Sequence, residues 1–319
     1  MVARPLISII MPCYNAEQHI ATSISSALNQ SYQNIELIIV NDGSTDNSLN
    51  IIKSTEDSRL LIIDQTNGGV CKARNRGLNE AKGEYIAFLD ADDTWDPQCL
   101  EKLFTVLNKQ PEAVLAYCGW QNVGQPGARG QPFIPPDYET PDKIKTLFAG
   151  CRWPIHATLS RRTPLLDTGG FDVRLKNAED YALWLELADR GPIVLVPEIL
   201  AFYHFHSDLQ ASNNLARAAL HLLSAQLDYL LRHPEFSQQL GRTESRRIIY
   251  GQLLERGFES YWSRHLTDAR TIFRAVMRAG YGSLKDWRYM LPSLLPLPIH
   301  KSLIQLFKKP GSTTARPDN

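Results

Sequence analysis

The sequence predicts an α/β fold, with a mostly parallel sheet flanked by helices and an α-helical region at the C-terminal end. Three observations predict it. "LISIIMP" and "IELIIVND" are near-continuous apolar runs ending in polar residues, the look of strands buried on both faces of a parallel sheet. Helical patterns alternate with such runs through the first hundred residues, as in repeated βαβ units. From about residue 213 onward, apolar stripes at helical spacing take over.

The elements follow in order. Between the first two strands lies "NAEQHIATSISSALNQ", where Asn15 and Gln18 are spaced for a capping box and Ile20, Ile24, Ala27 and Leu28 share a helix face. "DNSLNIIKSTED" predicts a second helix, "RLLIIDQ" a third strand, about Val70 to Ala81 a third helix, and "GEYIAFLD" a fourth strand. After "PEAVLAYCGWQ", the Gly- and Pro-rich "GQPGARGQPFIPPDYETP" has no periodicity and reads as an irregular crossing. Residues 143–200 mix short helices and strands, and Gly191 stands where it could cap the helix "AEDYALWLELADRG". Farther on, "ESRRIIYGQLLERGFESYWSRH" and "TDARTIFRAVMRAG" have the pattern of a helical hairpin. The closing "MLPSLLPLPIHKSLIQLFKKPG" suits either an amphipathic segment in a membrane interface or a helix packed on its own domain. The expected organisation is a catalytic domain over 1–210, split near residue 100, and a helical region over 211–319.

Composition narrows the classes. The 319 residues are 43% hydrophobic and 21% charged, close to the globular average, which excludes disorder and a membrane bundle. Lys and Arg balance Asp and Glu at 34 each, but residues 1–210 hold 18 basic and 26 acidic residues and residues 211–319 hold 16 and 8. A basic end beside an acidic body points to an anionic partner surface. Its arginines sit among apolar helix positions, which favours a lipid surface over nucleic acid. Five cysteines without a C-x-x-C fit a reducing cytosol, and no run reaches the roughly 18 apolar residues of a spanning helix. The expected location is cytoplasmic, with any contact at the inner face of the cell membrane peripheral.

In open α/β sheets ligands lie beyond the carboxyl ends of the strands, where this chain has Pro12, Tyr14, Asp42, Asn67 and the run Asp90, Asp92 and Asp93. Carboxylates this close repel, and desolvating them costs several kcal/mol without compensation. A divalent cation is the simplest compensation. Hard oxygen ligands suit Mg²⁺ or Mn²⁺, which take one or two protein carboxylates together with substrate phosphates. The plainer reading is an Asp-rich turn with Asp93 or Asp96 capping the helix that begins near Pro97.

Four motifs in order, "PCYNAEQHI", "IIVNDGSTDNS", "NGGVCKARNRGLNEAKGEYIAFLDADD" and "GGFDVRLKNAEDYALWLELA", resemble those of the family 2 glycosyltransferases over about residues 5–210. The resemblance implies the Rossmann-like GT-A fold, an inverting mechanism and a nucleoside diphosphate-sugar donor, with a leaning to uridine. Cys13 and Cys71 depart from the small or hydroxylated residues common at their positions. By this resemblance Asp42 accepts from a base imide N–H, Arg74 meets the phosphates or sugar, Asp90 reaches the ribose and Asp92 binds the metal. Asp93 could share that duty.

Several roles stay open between function and packing. Tyr14 can stack on the base or simply pack, and Glu17 can contact the ribose or serve as a first-turn helix acid. Asp42 has an Asx-turn as its alternative. The resemblance assigns the general base to Asp180, beside Glu179 at a helix start, where the alternative is an acidic pair complementing the helix dipole. Glu179 and Trp184 are candidates for the acceptor pocket, although Trp184, at helical spacing from Tyr181 and Leu187, also reads as core. "GGFD" nearby suggests a turn bringing backbone close to ligand. His204 and His206 share a strand face, and His206 is a candidate third metal ligand; His156 carries a weaker signal. The acceptor is read as a saccharide or a polyprenyl-linked one. The rivals are a nucleotidyltransferase of similar fold, for which "PCYNAEQ" lacks the Gly-rich basic loop, and a non-catalytic nucleotide-sugar-binding protein, which would not need a base.

Overall fold

The computed structural model describes residues 4–205 and 214–306. The chain divides into two compact units, Met1–Leu209 and Gln210–Asn319.

The first unit opens with the predicted alternation: β1 (Ile7–Cys13), α1 (Ile20–Leu28), β2 (Ile35–Asp42), α2 (Ser48–Lys53), β3 (Leu60–Gln65), α3 (Val70–Glu80) and β4 (Tyr85–Phe88). These strands pair in parallel, β3-β2-β1-β4. Ile7, Ile9, Ile10, Ile38, Ile39, Ile86 and Phe88 have no exposed surface, so the unbroken apolar runs mark strands covered on both faces. β3 lies at the sheet edge, and its side chains are correspondingly half-buried or exposed.

The rest of the unit runs β5 (Thr94–Trp95), α4 (Cys99–Lys109), β6 (Leu115–Val123), α5 (Lys143–Ala149), β7 (Thr158–Arg161), α6 (Arg162–Leu166), α7 (Glu179–Ala188) and β8 (Ile193–His204). The sheet continues β4-β7-β6-β8-β5, with β7 antiparallel to both neighbours and β5 antiparallel to β8. The eight-stranded sheet is therefore mixed. Parallel pairing joins β3, β2, β1 and β4 within the first hundred residues, where the strand runs were most legible, and returns between β6 and β8.

Three local expectations are corrected. No capping box forms at Asn15, because α1 begins later, at Ile20; Asn15 instead adopts φ 50° and accepts a hydrogen bond from the Thr45 N–H at 2.8 Å. Gly191 does not cap α7, which ends with Asp189 in the right-handed helical region. A Cβ at Gly191 would come 2.7 Å from Val114 Cγ1, so close packing is what requires glycine there. Asp96 does not cap α4, whose N-cap is Gln98 with no side-chain cap; its Oδ1 accepts from the Gln98 N–H at 2.8 Å in the turn just before the helix.

In the second unit α8 (Leu215–Arg232), α9 (Pro234–Leu240), α10 (Arg242–Trp262), α11 (Leu266–Arg278), α12 (Leu284–Met290) and α13 (Leu297–Leu306) follow one another. α10 and α11 form the predicted hairpin around Leu253, Phe258, Ile272, Phe273 and Val276. Gly257 permits their close approach, because a Cβ there would meet the Phe273 ring at 2.7 Å. The closing segment packs in part on its own domain. His300 of α13 is buried and lies 3.2 Å from the Arg270 guanidinium, while Leu291, Leu294 and Ile299 stay 48%, 58% and 50% exposed. Among the described residues no helix is long and apolar enough to cross a membrane.

Candidate active site

The carboxyl ends of β1, β2 and β4 and the start of α7 carry most of the residues singled out in the sequence. The loops after β1 and β2 are stitched together: the Asn15 N–H donates to Ser44 Oγ at 3.0 Å, the Glu17 N–H to Asp46 Oδ2 at 3.0 Å, and Glu17 Oε2 accepts from the Asn47 N–H at 2.9 Å. Glu17 thus braces a loop rather than a helix start. Pro12 is buried within β1. Tyr14, just past its end, is 54% exposed, leaving an aromatic face open for a flat ligand.

Asp42 is nearly buried. Its Oδ1 accepts from Gln65 Nε2 at 2.7 Å and the Gly68 N–H at 2.9 Å, and its Oδ2 accepts from the Gly69 N–H at 2.7 Å. The expected Asx-turn belongs to the preceding residue, Asn41, which accepts from the Ser44 N–H. Asp42 instead fixes the Gly-Gly loop before α3, where Gly69 takes φ 89°. Charge-assisted bonds of this kind hold a loop firmly and leave one acceptor site of the Asp42 carboxylate unengaged.

Arg74, expected to face phosphates, is buried in α3 with a side chain only 4% exposed. Its Nη2 donates to Asp90 Oδ1 at 2.7 Å and its Nη1 to Glu179 Oε1 at 2.9 Å, and its guanidinium lies 5.4 Å from the centre of the Phe171 ring. The fork therefore ties the end of β4 to the start of α7. Glu179, expected toward the acceptor, is held inward by this pair. Lys72, two residues earlier on the opposite side of α3, is exposed.

The acidic run divides by direction. Asp92 is partly exposed, and burial together with the neighbouring Asp93 and Asp90 charges pushes its pKa up to about 7. Asp93 is fully buried: its Oδ1 accepts from the His204 N–H at 2.9 Å and its Oδ2 lies 3.0 Å from His156 Nδ1. Asp93 as a metal ligand is thus a correction, since its carboxylate faces the protein interior. His204 Nε2 sits 2.8 Å from Thr94 Oγ1, joining β8 to β5. His206 lies outside the described residues. Among those described, no group of three His, Cys, Asp or Glu side chains is gathered as a metal cage.

At the start of α7, Ala178 has φ 63°, an uncommon conformation for a residue with a Cβ, which directs Glu179 and Asp180. Asp180 is pushed up to about 6, mainly by burial and then by the Glu179 charge, against the lowering effect of the Tyr181 N–H bond and Arg74. Trp184, one turn on, is corrected from an acceptor contact to core: it is fully buried with its ring 6.4 Å from Phe88. The "GGFD" turn is corrected too. Its glycines have positive φ, but the close approach is to Asn75 of α3, which bonds both the N–H and the carbonyl of Phe171. Asn75 and His156 carry no local signal strong enough to mark them, because their partners lie 96 and 63 residues away in the chain.

A mixed eight-stranded sheet with carboxylates gathered where the parallel strands end is the GT-A architecture of nucleotide-sugar enzymes. Residues 8–161 match the family described as Glycosyl transferase family 2. The chain belongs to that family of glycosyltransferase enzymes. It is 32% identical over 217 residues to a putative teichuronic acid biosynthesis glycosyltransferase of Bacillus subtilis, covering 66% of this chain and 83% of that one. It is 33% identical over 219 residues to an uncharacterized glycosyltransferase of Rickettsia typhi, covering 66% of each, so the chain spans about two thirds of that relative. Among solved structures, the mannosyltransferase of Pyrobaculum calidifontis in complex with GDP-Man and Mn²⁺ superposes with a TM-score of 0.58 at 19% identity, covering 95% of this chain and 84% of that one.

Proposed function

We propose that the chain is an inverting, divalent-metal-dependent glycosyltransferase that moves a sugar from a nucleoside diphosphate-sugar to a saccharide or lipid-linked acceptor in cell-surface polysaccharide or glycan biosynthesis. The observation that carries this reading is the buried Arg74 fork that joins Asp90 at the end of β4 to Glu179 at the start of α7, which places Asp92 and Asp180 beside the ends of one ion-pair bridge; burial and like charges raise both carboxyls, Asp92 to about 7 and Asp180 to about 6. Structural ion pairs alone would hold such carboxylates low; a partly exposed carboxylate kept high is a group waiting for a cation or a proton.

Each residue has a task in this scheme. Tyr14 offers its exposed ring to the base and Asp42 its remaining acceptor site to a base N–H. Asp90, fixed by Arg74, reaches toward the ribose. Asp92 is the outward carboxylate for Mg²⁺ or Mn²⁺, whose few protein ligands are completed by substrate phosphate oxygens, which suits a site without a cage of three side chains. A cation there would neutralise the departing nucleoside diphosphate. Asp180 takes the proton from the acceptor hydroxyl as it attacks the anomeric carbon opposite the leaving group.

The sign of the pH dependence follows from Asp180. Its pKa stands above the ordinary 3.8, so it is protonated and inert as a base below about pH 6 and ionised above. Turnover with saturating donor is expected to fall about tenfold per pH unit below that value. A rate flat from pH 5 to 8 would remove Asp180 from the role. Thermal-shift screening of UDP- and GDP-sugars with and without Mn²⁺ tests the donor reading, since a bound ligand raises stability by mass action.

The exposed Leu291, Leu294 and Ile299 and the basic surplus of residues 211–319 support peripheral docking on an anionic membrane surface at the inner face of the cell membrane. In flotation with anionic vesicles, changing all three to Ser is expected to cut the bound fraction several-fold. Equal partitioning of the two proteins would exclude this segment as the contact.

A further inference from the structure

We propose that His156 is a positioning residue for the acidic run: it holds Asp93 turned inward, and so makes Asp92 the carboxylate presented to the cation. The inference rests on the assignment of Asp92 as cation ligand and deepens it.

The turn itself is tight. The Asp93 N–H donates to the Asp90 carbonyl at 3.1 Å, which puts Ala91 and Asp92 at the two corners. A side chain at a corner points wherever the closing residue anchors the turn, and the closing residue is Asp93. Its carboxylate has no exposed surface. One oxygen accepts from the His204 N–H. The other lies at an ion-pair distance of 3.0 Å from His156 Nδ1 and, like the buried His156 Nε2, makes no hydrogen bond among the described residues. A buried carboxylate with one oxygen uncompensated is costly and would turn toward solvent, where it would compete with Asp92 for any cation.

His156 is built to stay where it is. It is 1% exposed, its carbonyl accepts from Trp95 Nε1 at 2.6 Å, and its ring stacks on Tyr203 with 20° between the planes. These contacts come from β5, which follows the turn, and from β8, its antiparallel partner. Outer partners that orient a metal-binding carboxylate typically alter metal affinity 10- to 100-fold when removed.

The test uses the full chain with UDP and Mn²⁺, reading free Mn²⁺ by electron paramagnetic resonance. His156→Leu, which keeps bulk but no donor, is expected to weaken Mn²⁺ binding at least about tenfold. His156→Asn, whose amide nitrogen falls near the Nδ1 position, should stay within about threefold of the parent. In an Asp93→Asn background His156→Leu should have little further effect, because a neutral amide needs no compensation. Equal losses in the Leu and Asn variants, or additive losses in the double variant, would overturn the proposal, as would a folded His156→Leu protein with parental affinity. If the parent itself binds no Mn²⁺, the metal reading fails separately. The positioning claim is then decided by amide hydrogen exchange at Asp93 and His204, which His156→Leu should accelerate at least about tenfold and which an unchanged rate would refute.

Discussion

Replacing Asp180 with Asn is expected to lower turnover about 10²- to 10⁴-fold, the usual contribution of a general base, while donor binding stays within a few-fold of the parent. Asn keeps the volume and keeps an oxygen for the Tyr181 N–H, so the start of α7 should hold its shape. It cannot take a proton from an acceptor hydroxyl. Stability should move the other way. A carboxyl whose folded pKa is raised stabilises the fold only while protonated, and that contribution is lost as pH rises through about 6. At neutral pH the ionised Asp180 therefore costs stability, which the neutral amide removes. Slower transfer with a higher melting temperature is the combined signature. Parental turnover in Asp180→Asn would assign the base elsewhere, and a lowered melting temperature would show that the carboxylate is paired rather than strained.

What the sequence made legible follows from the range of the interactions involved. β1, β2 and β4 announced themselves because strands covered on both faces must be apolar throughout, a local property. The α10–α11 hairpin was readable for the same reason, as a stripe at helical spacing. Motif spacing brought Tyr14, Asp42, Asp90, Asp92 and Asp180 forward as a set, but not the direction each side chain takes. Asp92 and Asp93 are adjacent and chemically identical, and only a histidine 63 residues away separates the outward one from the inward one. Trp184 and Leu187 are buried on α7, with the Trp184 ring 6.4 Å from Phe88 of β4, as their helical spacing from Tyr181 suggested. Asn15 failed as a cap for a similar reason: its partner is Thr45, supplied by the loop after β2 rather than by its own helix.

Arg74→Met carries the second large expectation. The guanidinium is buried and is the cation shared by Asp90 and Glu179, whose side chains are 25% and 13% exposed. Removing it leaves two carboxylates facing each other across a site too closed to hydrate them fully, and breaking a buried pair in this way typically costs about 3–5 kcal/mol. Thermal unfolding should therefore fall by roughly 10 °C for a unit of this size. Arg74→Lys should recover only part, because a single ammonium cannot reproduce a fork that donates to two partners on different elements. A stability loss alone would say nothing about transfer, so the informative reading is the acid limb of the pH–rate profile. Arg74 is one of the groups that lowers the Asp180 pKa. Without it the limb should move above pH 6, in contrast to a general loosening, which would lower the rate at every pH alike. Adding Glu179→Gln removes one of the two uncompensated charges, so Arg74→Met/Glu179→Gln should regain stability relative to Arg74→Met and bring the limb back down. Failure of the second substitution to do either would mean that Arg74 acts through its packing against Phe171 rather than through its charge.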